Sequence, residues 1–566
     1  MKTMMKKTEK RKEIKRRRFI SLLLAAILLG SVSFPKADTI TGYTDVPKDS
    51  WAISAVSSAK AYGLMSGQGD GMFGYGKTIT KAEFATILCN MMKWTVQTPS
   101  VPSFSDVTRD KWYYAEIETA LANGAVEKTA EFLPDTPITR EEMAVMFVRA
   151  LGLADAAQTA EKALSAGSMS LPFTDVIKNK GFIAVAYDIG MINGITETIF
   201  GPDNTAKREE AAAMLTRVYE KYYGDTEFLH GFYAISSYSQ LELTKEMDAV
   251  TLGWSSMAME DGHAKIVTEE GQYRIPDGYE LAVSYLEQNG TKMHLGVYMD
   301  ASQGVSELLT NAEARTEAVN AIMEETSRIY EAVGENPYSG VTIDFEGLRG
   351  TAVKEGFNAF LTELSMQLRA SGKTLYVMVQ PALSDGIYFD GFDYRTIGSL
   401  ADKVILMAHD YNPSSLDAYI GTEWHKNAAL TPIGSVYYSI KAVTDSETGV
   451  EDKEKLVLAI SFASVGWQLS DDGSLLSGTP VRGSSEAVYS YLTADGTERG
   501  FSQQYRNPYL KYETAEGKNI FLWYENEKSV AEKAALARMM GICGISVWRL
   551  GNVPSYTGYD VMESLK

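Results

Sequence analysis

Cysteine is nearly absent from this chain: Cys89 and Cys543 are the only two among 566 residues. They lie far apart, in segments of different texture. That excludes a disulfide framework, and it equally excludes a metal site built on thiolates. Both read as buried free thiols. Long apolar runs are missing too: after the stretch Phe19 to Gly30, no segment is apolar enough to span a bilayer. Basic residues are outnumbered, 54 Lys and Arg against 73 Asp and Glu. Residues 1–37 hold eleven of the basic residues and two of the acids, leaving 43 against 71 and a charge of −28 for the remainder. A surface of that sign repels nucleic acid and anionic membranes, which excludes both as partners.

What is present is ample for folded domains. Hydrophobic content is 45% and aromatic content 11%, against the composition of disorder, and the length predicts two to four units. The basic start, the short apolar run and the small residues after it read as a secretory signal peptide over 1–37, with cleavage after Ser33 or Ala37. An uncleaved N-terminal anchor is the alternative.

Three segments then repeat. The first has Tyr43, Asp45, Val46, Trp51, Gly67, Phe73, Ile79, Thr80, Lys81 and Glu83 in order. The second has Phe104, Asp106, Val107, Trp112, Gly124, Phe132, Pro134, Ile138, Thr139, Arg140 and Glu142. The third has Phe173, Asp175, Val176, Phe182, Gly194, Phe200, Pro202, Lys207, Arg208 and Glu210. Their aspartates recur at spacings of 61 and 69 residues. Each unit reads as an Asp-Val turn, an amphipathic helix, a Gly loop and a second helix opened by a capping threonine with acids in its first turn. This pattern resembles S-layer homology domains over 38–98, 99–160 and 168–223. The resemblance implies a three-unit pseudo-trimer holding secondary polymers of a Gram-positive cell wall. It also implies polymer contacts from the basic motif residues Lys81, Arg140 and Arg208 and from Trp51 and Trp112; ion pairing to nearby glutamates is the alternative for the basic three. Arginine grips an anion bidentately where lysine cannot, so the first repeat is expected to bind less tightly. The third repeat lacks both the motif threonine and the tryptophan.

From residue 228 the texture changes to β-rich runs alternating with helical stretches. Eight strand candidates fall at 231–235, 249–253, 293–298, 340–345, 374–379, 404–408, 456–460 and 544–548, with helices clearest at 353–370 and 530–540. Eight β-α alternations over 228–566 predict a parallel (β/α)₈ barrel, whose chemistry sits at the C-terminal strand ends. At the end of the fourth candidate Thr342, Asp344 and Glu346 are two apart, so all three face the barrel mouth. No basic residue lies within this run. Acids forced inward are costly unless paired or used, which marks the pair as a candidate site.

The run from Ser339 to Glu346 resembles the Asp-Gly-x-Asp-x-Asp-x-Glu signature of family 18 glycoside hydrolases. The resemblance implies that Glu346 is the general acid/base and that Asp344 orients the substrate's 2-acetamido group, which acts as nucleophile, with retention and without metal or organic cofactor. Ser339 and Thr342 stand where the signature has Asp, and Thr342 is expected to donate a hydrogen bond to Asp344. The sixth candidate ends in His409, Asp410 and Tyr411. Asp410 matches the family's Met-x-Tyr-Asp, and His409 replaces its tyrosine, a role that His409 or Tyr411 could take. Trp548 ends the eighth candidate, as sugar floor or as barrel packing. Gln380, after the fifth, joins the expected substrate contacts. An insertion opens after the seventh candidate and runs to Lys518. With Phe521 to Glu525 and the ending after Trp548, it resembles the branch of spore-cortex N-acetylglucosaminidases. The expectation is a secreted, wall-attached or S-layer-attached hydrolase of β-1,4 bonds at N-acetylglucosamine in peptidoglycan or a chitin-like glycan. The competing readings are a glycan-binding barrel that no longer cuts, and a purely structural surface protein.

Overall fold

The computed structural model describes residues 42–381 and 390–566; the expected signal peptide lies outside them. The chain divides after Gly224 into two compact units.

The first unit is helical, and its repeated residues have repeated jobs. Asp45 accepts the backbone N–H groups of Phe73, Gly74 and Tyr75 at 2.6–2.8 Å, Asp106 those of Phe132 and Leu133, and Asp175 those of Phe200 and Gly201. The Asp of the Asp-Val turn thus ties the start of each repeat to the loop that begins at its Phe73, Phe132 or Phe200. Burial pushes the carboxyls of Asp45 and Asp175 up, and these N–H bonds more than offset it, holding both below their ordinary values. Thr80 and Thr139 cap the helices Lys81–Met92 and Arg140–Ala150 in capping boxes with Glu83 and Glu142. In the third repeat the Lys207 N–H still donates to Glu210, at 2.9 Å, ahead of helix Arg208–Tyr222. The segments before these helices join in a ring: Ile79 N–H donates to Ala206, Ala206 to Ile138, and Ile138 to Ile79, at 3.0–3.4 Å. All three residues are buried. An additional helix, Ala154–Ser165, packs on Lys180–Asp188, where a Cβ on Gly181 would stand 1.9 Å from the Ala157 carbonyl oxygen.

The second unit is a closed barrel. Its strands are β1 (Phe228–Tyr233), β2 (Ala249–Glu260), β3 (His263–Val267), β4 (Lys292–Met299), β5 (Gly340–Phe345), β6 (Thr374–Val379), β7 (Lys403–Leu406), β8 (Leu456–Ser461), β9 (Val465–Leu469), β10 (Glu498–Ser502), β11 (Asn507–Glu513), β12 (Asn519–Trp523) and β13 (Gly544–Trp548). The parallel order β1-β13-β8-β7-β6-β5-β4-β2 closes through β1–β2 pairing. Every strand expected from the sequence is present. β2 runs on to form an antiparallel hairpin with β3, which the sequence reading had not separated. The insertion after β8 is a four-stranded antiparallel sheet, β10-β11-β12-β9, around Trp467, Phe521 and Trp523; it extends through β12 rather than stopping at Lys518. Cys89 is buried, whereas Cys543 is only partly so.

Alternation on β5 explains how the site is built. Val341, Ile343 and Phe345 point outward and are fully buried, with Phe345 stacked on Phe360 of helix Thr351–Ala370 at 5.3 Å. Thr342 and Asp344 therefore point inward. Burying those three outward side chains stabilises the strand by roughly 5–9 kcal/mol in transfer terms, so the inward polar pair is held by a firm apolar back.

Candidate active site

Beneath the site the barrel interior is polar on one side and apolar on the other. Phe232, Tyr376, Met378, Ile405 and Met407 fill the apolar part. Across the polar part runs a chain of buried groups. Ser546 Oγ meets His230 Nδ1 at 2.8 Å, His230 Nε2 meets Thr251 Oγ1 at 2.8 Å, and Thr251 Oγ1 meets Thr342 Oγ1 at 2.7 Å. Thr342 Oγ1 is 3.3 Å from His294 Nδ1, and His294 Nε2 is 2.9 Å from Thr374 Oγ1. Burial drives His230 down to about 3 and His294 well below the ordinary imidazole range, so this layer is uncharged near neutrality. Thr342 belongs to it. The expected hydrogen bond from Thr342 to Asp344 is absent; the hydroxyl is held by Thr251 and His294.

Asp344 lies above this layer, 6% exposed, with its Oδ1 buried and without a partner among the described residues. Burial, reinforced by the Glu346 carboxylate, raises its carboxyl well above the usual range. Glu346 follows β5, and its N–H donates to the Met299 carbonyl at 2.9 Å, which extends the strand register to it. Burial raises Glu346 as well; His409 opposes that rise, while Asp300 and Asp410 add to it. Two carboxyls that both favour their protons, close enough for the charge of one to act on the other, are what a general acid and its partner require.

The cleft above Asp344 holds about 290 Å³ and is lined by Tyr233, Ser236, Gln272, Tyr273, Tyr298, Thr342, Trp548 and Arg549, among others. Glu346 is not among the lining residues; its place beside the cleft follows from the charges it shares with Asp344, Tyr273 and Tyr298. Trp548 both lines the cleft and packs edge-on against Phe232, at 5.0 Å. Tyr298 is Asp344's lateral neighbour on β4 and donates its hydroxyl to Asp300 Oδ2 at 2.9 Å, while Tyr273 stacks on Tyr298 at 4.5 Å. The sequence reading missed this group. The Tyr298-x-Asp300 pair at the end of the third strand candidate obeys the same inward spacing as Asp344 and Glu346. Tyr273 sits on an excursion after β3 and carries no such signal.

β7 stops at Leu406, and its continuation turns sharply, with Asp410 at a left-handed φ of +60°. His409 Nδ1 lies 2.9 Å from Asp410 Oδ2; the His409 ring is buried, and its Nε2 has no partner among the described residues. Burial would push Asp410 up, and His409 with Arg482 holds it down. Two of the expected substrate contacts have protein partners. Tyr411 turns its hydroxyl away to Ser439, at 2.7 Å, because its N–H is tied to Leu430. Gln380 accepts the Gly347 N–H at 2.6 Å and so braces the backbone after Glu346.

In the first unit, a groove of about 250 Å³ is lined by Trp51, Arg140, Met191, Asn193, Glu210 and Arg217 among others. Trp51 is 65% exposed. Arg140 donates to the Phe200 and Asn193 carbonyls at 3.0 and 2.8 Å, from the edge of this groove. Arg208 is buried, bonded to the carbonyls of Phe73 and Ser66 and, at 2.5 Å, to Glu83. Lys81 pairs with Glu142 at 2.6 Å. Ion pairing thus accounts for Lys81 and Arg208, and only Arg140 shares a groove with an exposed tryptophan. Trp112 is exposed elsewhere, packed edge-on against Tyr113.

Comparison with known proteins agrees with this architecture. The model of glycosyl hydrolases family 18 matches residues 231–552. The chain belongs to that family. The S-layer homology domain model matches residues 42–85, 103–144 and 172–212. Curated relatives include the cortical fragment-lytic enzyme of Bacillus subtilis (strain 168), 26% identical over 43% of this chain and 52% of that protein. An S-layer protein of Bacillus thuringiensis subsp. finitimus is 25% identical over 44% of this chain and 30% of that protein. The chain spans from 9% to 53% of the length of the first three curated relatives it matches. Similar solved structures include a chitinase from Chromobacterium violaceum ATCC 12472, 17% identical over 60% of this chain and 97% of that one, TM-score 0.46. The Bacillus cereus spore cortex-lytic enzyme SleL is 18% identical over 57% of this chain and 71% of that one, TM-score 0.43. The family 18 region thus coincides with the barrel, and the three S-layer homology matches fall in the helical unit that precedes it in the sequence.

Proposed function

We propose that the protein hydrolyses β-1,4 bonds at N-acetylglucosamine in peptidoglycan, or in a chitin-like glycan, while tethered to a secondary wall polymer. In this reading Glu346 protonates the leaving glycosidic oxygen and later takes a proton from the incoming water. Asp344 holds the N–H of the sugar's acetamido group, so that the acetamido oxygen attacks the anomeric carbon and configuration is retained. The observation that supports this most directly is the buried Asp344 carboxyl at an open cleft, with an oxygen that has no partner among the described residues and its proton favoured, close to a second acid whose proton is also favoured. Such an arrangement destabilises the fold unless a ligand uses it. Trp548 and Tyr273 supply aromatic faces for the sugar ring. Wall attachment through the Trp51–Arg140 groove fits a substrate that is itself the wall.

The test is incubation with purified peptidoglycan, followed by mass spectrometry of the new reducing ends. Glu346→Gln is expected to lower turnover by at least about 10² while glycan binding stays within a few-fold. Equal turnover by that variant would remove Glu346 from the role of acid.

A further inference from the structure

Between Asp410 and the helix Ile433–Val443, the chain makes an excursion that leaves the end of β7 and returns to it: the Tyr411 N–H donates to the Leu430 carbonyl at 2.9 Å. Its base therefore adjoins Asp410, whose charge acts on Glu346. Its tip presents four large apolar side chains to solvent: Tyr419 at 38% exposure, Ile420 at 52%, Trp424 at 41%, and Leu476 at 51% from the neighbouring 470–480 loop. Tyr419 and Trp424 lie face to face, with centroids 4.6 Å apart and planes 11° from parallel.

The tip is rigidly built. Thr422 links the two ring-bearing residues, donating to the Tyr419 carbonyl at 2.7 Å and accepting from the Trp424 N–H at 3.2 Å. Gly421 N–H donates to the Leu475 carbonyl and Leu475 N–H to the Thr422 carbonyl, at 2.9 and 2.8 Å. On either side Leu416 and His425 are fully buried against the insertion core, where Trp523 Nε1 donates to the His425 carbonyl at 3.0 Å. The fold thus holds two stacked aromatic rings, each about two-fifths exposed, in one orientation, forgoing roughly 1 kcal/mol for each that completing their burial would give. Pyranose rings offer flat C–H faces that pack on such rings without desolvating their hydroxyls. The exposed Asp417 and the Glu423–Lys426 pair stand beside the rings as partners for those hydroxyls.

We propose that Tyr419 and Trp424 form a distal glycan platform, on which sugar rings of the polymer beyond the cleaved bond stack. This rests on the hydrolase reading above: the occupant is the strand whose scissile bond lies at Glu346, and the chain continuity from Asp410, which acts on Glu346, into the excursion selects it. The pair is a binding site, distinct from the reacting groups, that acts on long chains only.

The test uses the full chain and two soluble probes, glycol chitin as polymer and triacetylchitotriose as a ligand short enough to stay in the cleft. Affinity electrophoresis in glycol chitin reads binding without turnover, and hydrolysis of the trimer reads the reacting groups. Trp424→Ala and the double variant with Tyr419→Ala are expected to weaken polymer binding about tenfold and leave trimer hydrolysis within twofold. Trp424→Phe, which keeps a ring face, should restore most of the loss. Unchanged retardation of the double variant would overturn the platform, as would a wild-type protein that glycol chitin does not retard. Loss of self-association in sedimentation with unchanged retardation would assign the patch to a second copy and overturn it equally. Wild-type failure to cut any glycan would instead sink the hydrolase reading, while retardation still judges the platform.

Discussion

Replacing Thr342 by Asp tests how the acid pair is tuned. Thr342 is fully buried and sits two positions before Asp344 on the same face of β5, about 6.6 Å along the strand. The layer around it is neutral in the native protein, because His230 and His294 are both pushed far down by burial. A carboxylate there adds a like charge beneath Asp344 and Glu346. At an effective dielectric constant of about 20, the repulsion is about 2.5 kcal/mol on Asp344 and, four positions on at about 13 Å, about 1.3 kcal/mol or roughly one pH unit on Glu346. The sign follows from the mechanism. Glu346 must carry its proton to act as acid, so the basic limb of the rate profile reports loss of that proton; a new negative charge delays the loss and moves the limb upward. Asp300, Asp410 and His409 also face Glu346 and are the same in both proteins, so the difference isolates position 342. His294 stands 3.3 Å from Thr342 and could answer by taking a proton, so the comparison is repeated in a His294→Gln background. Rate profiles on soluble glycan, measured from pH 4 to 9, read the limb directly. Superimposable basic limbs in both backgrounds would refute the coupling, which belongs to the pair of acids together.

Three other perturbations follow. Asp344→Asn should abolish turnover yet stabilise the barrel by about 1–2 kcal/mol at pH 7. The folded state holds this proton more tightly than the unfolded chain does, so the native carboxyl's cost sets in above the unfolded value and is absent at low pH; equal melting-temperature gains at pH 3 and pH 7 would contradict it. Lys533→Met should cost about 3–5 kcal/mol in denaturant unfolding, because it leaves Glu525, 1% exposed and bonded to Lys533 at 2.7 Å, as an uncompensated buried charge; a cost below about 1 kcal/mol would show that Asn507 and Ser529 suffice. Trp51→Ala should reduce co-sedimentation with cell-wall sacculi about tenfold with an unchanged melting temperature, and the native protein should fail to pellet with walls stripped of secondary polymer. Undiminished pelleting would move the polymer site away from the Trp51–Arg140 groove.

Much of the architecture was legible because the sequence writes it in two periods. Alternation at Thr342, Asp344 and Glu346 gave the inward face of β5, and the eightfold recurrence of short apolar runs gave the barrel. Less legible were features in which the backbone leaves its regular course. Tyr411 was expected in the site from its neighbourhood to Asp410, but the left-handed turn at Asp410 swings it toward Ser439. Gln380 and Thr342 carry polar groups at the right height on the barrel. Each is bound by a lateral neighbour, Gln380 by Gly347 in the segment after β5 and Thr342 by Thr251 and His294 on other strands, and sequence spacing along one strand says nothing of such neighbours. Tyr273 reaches the cleft only because the chain after the β2–β3 hairpin folds over it. In the repeats, the motif marked Lys81, Arg140 and Arg208 alike; what separates them is the carbonyl or carboxylate each meets across the ring.

The closed ring through Ile79, Ile138 and Ala206 has a consequence for how such tethers can be shortened or recombined. Each of these segments both gives a hydrogen bond to one neighbour and receives one from the other. Deleting any single module therefore strands one donor and one acceptor on the two that remain, both in an interior without water to answer them. Three is then the smallest self-satisfying number. A two-module version is expected to recruit a missing third from another molecule, turning an anchor into a cross-linker.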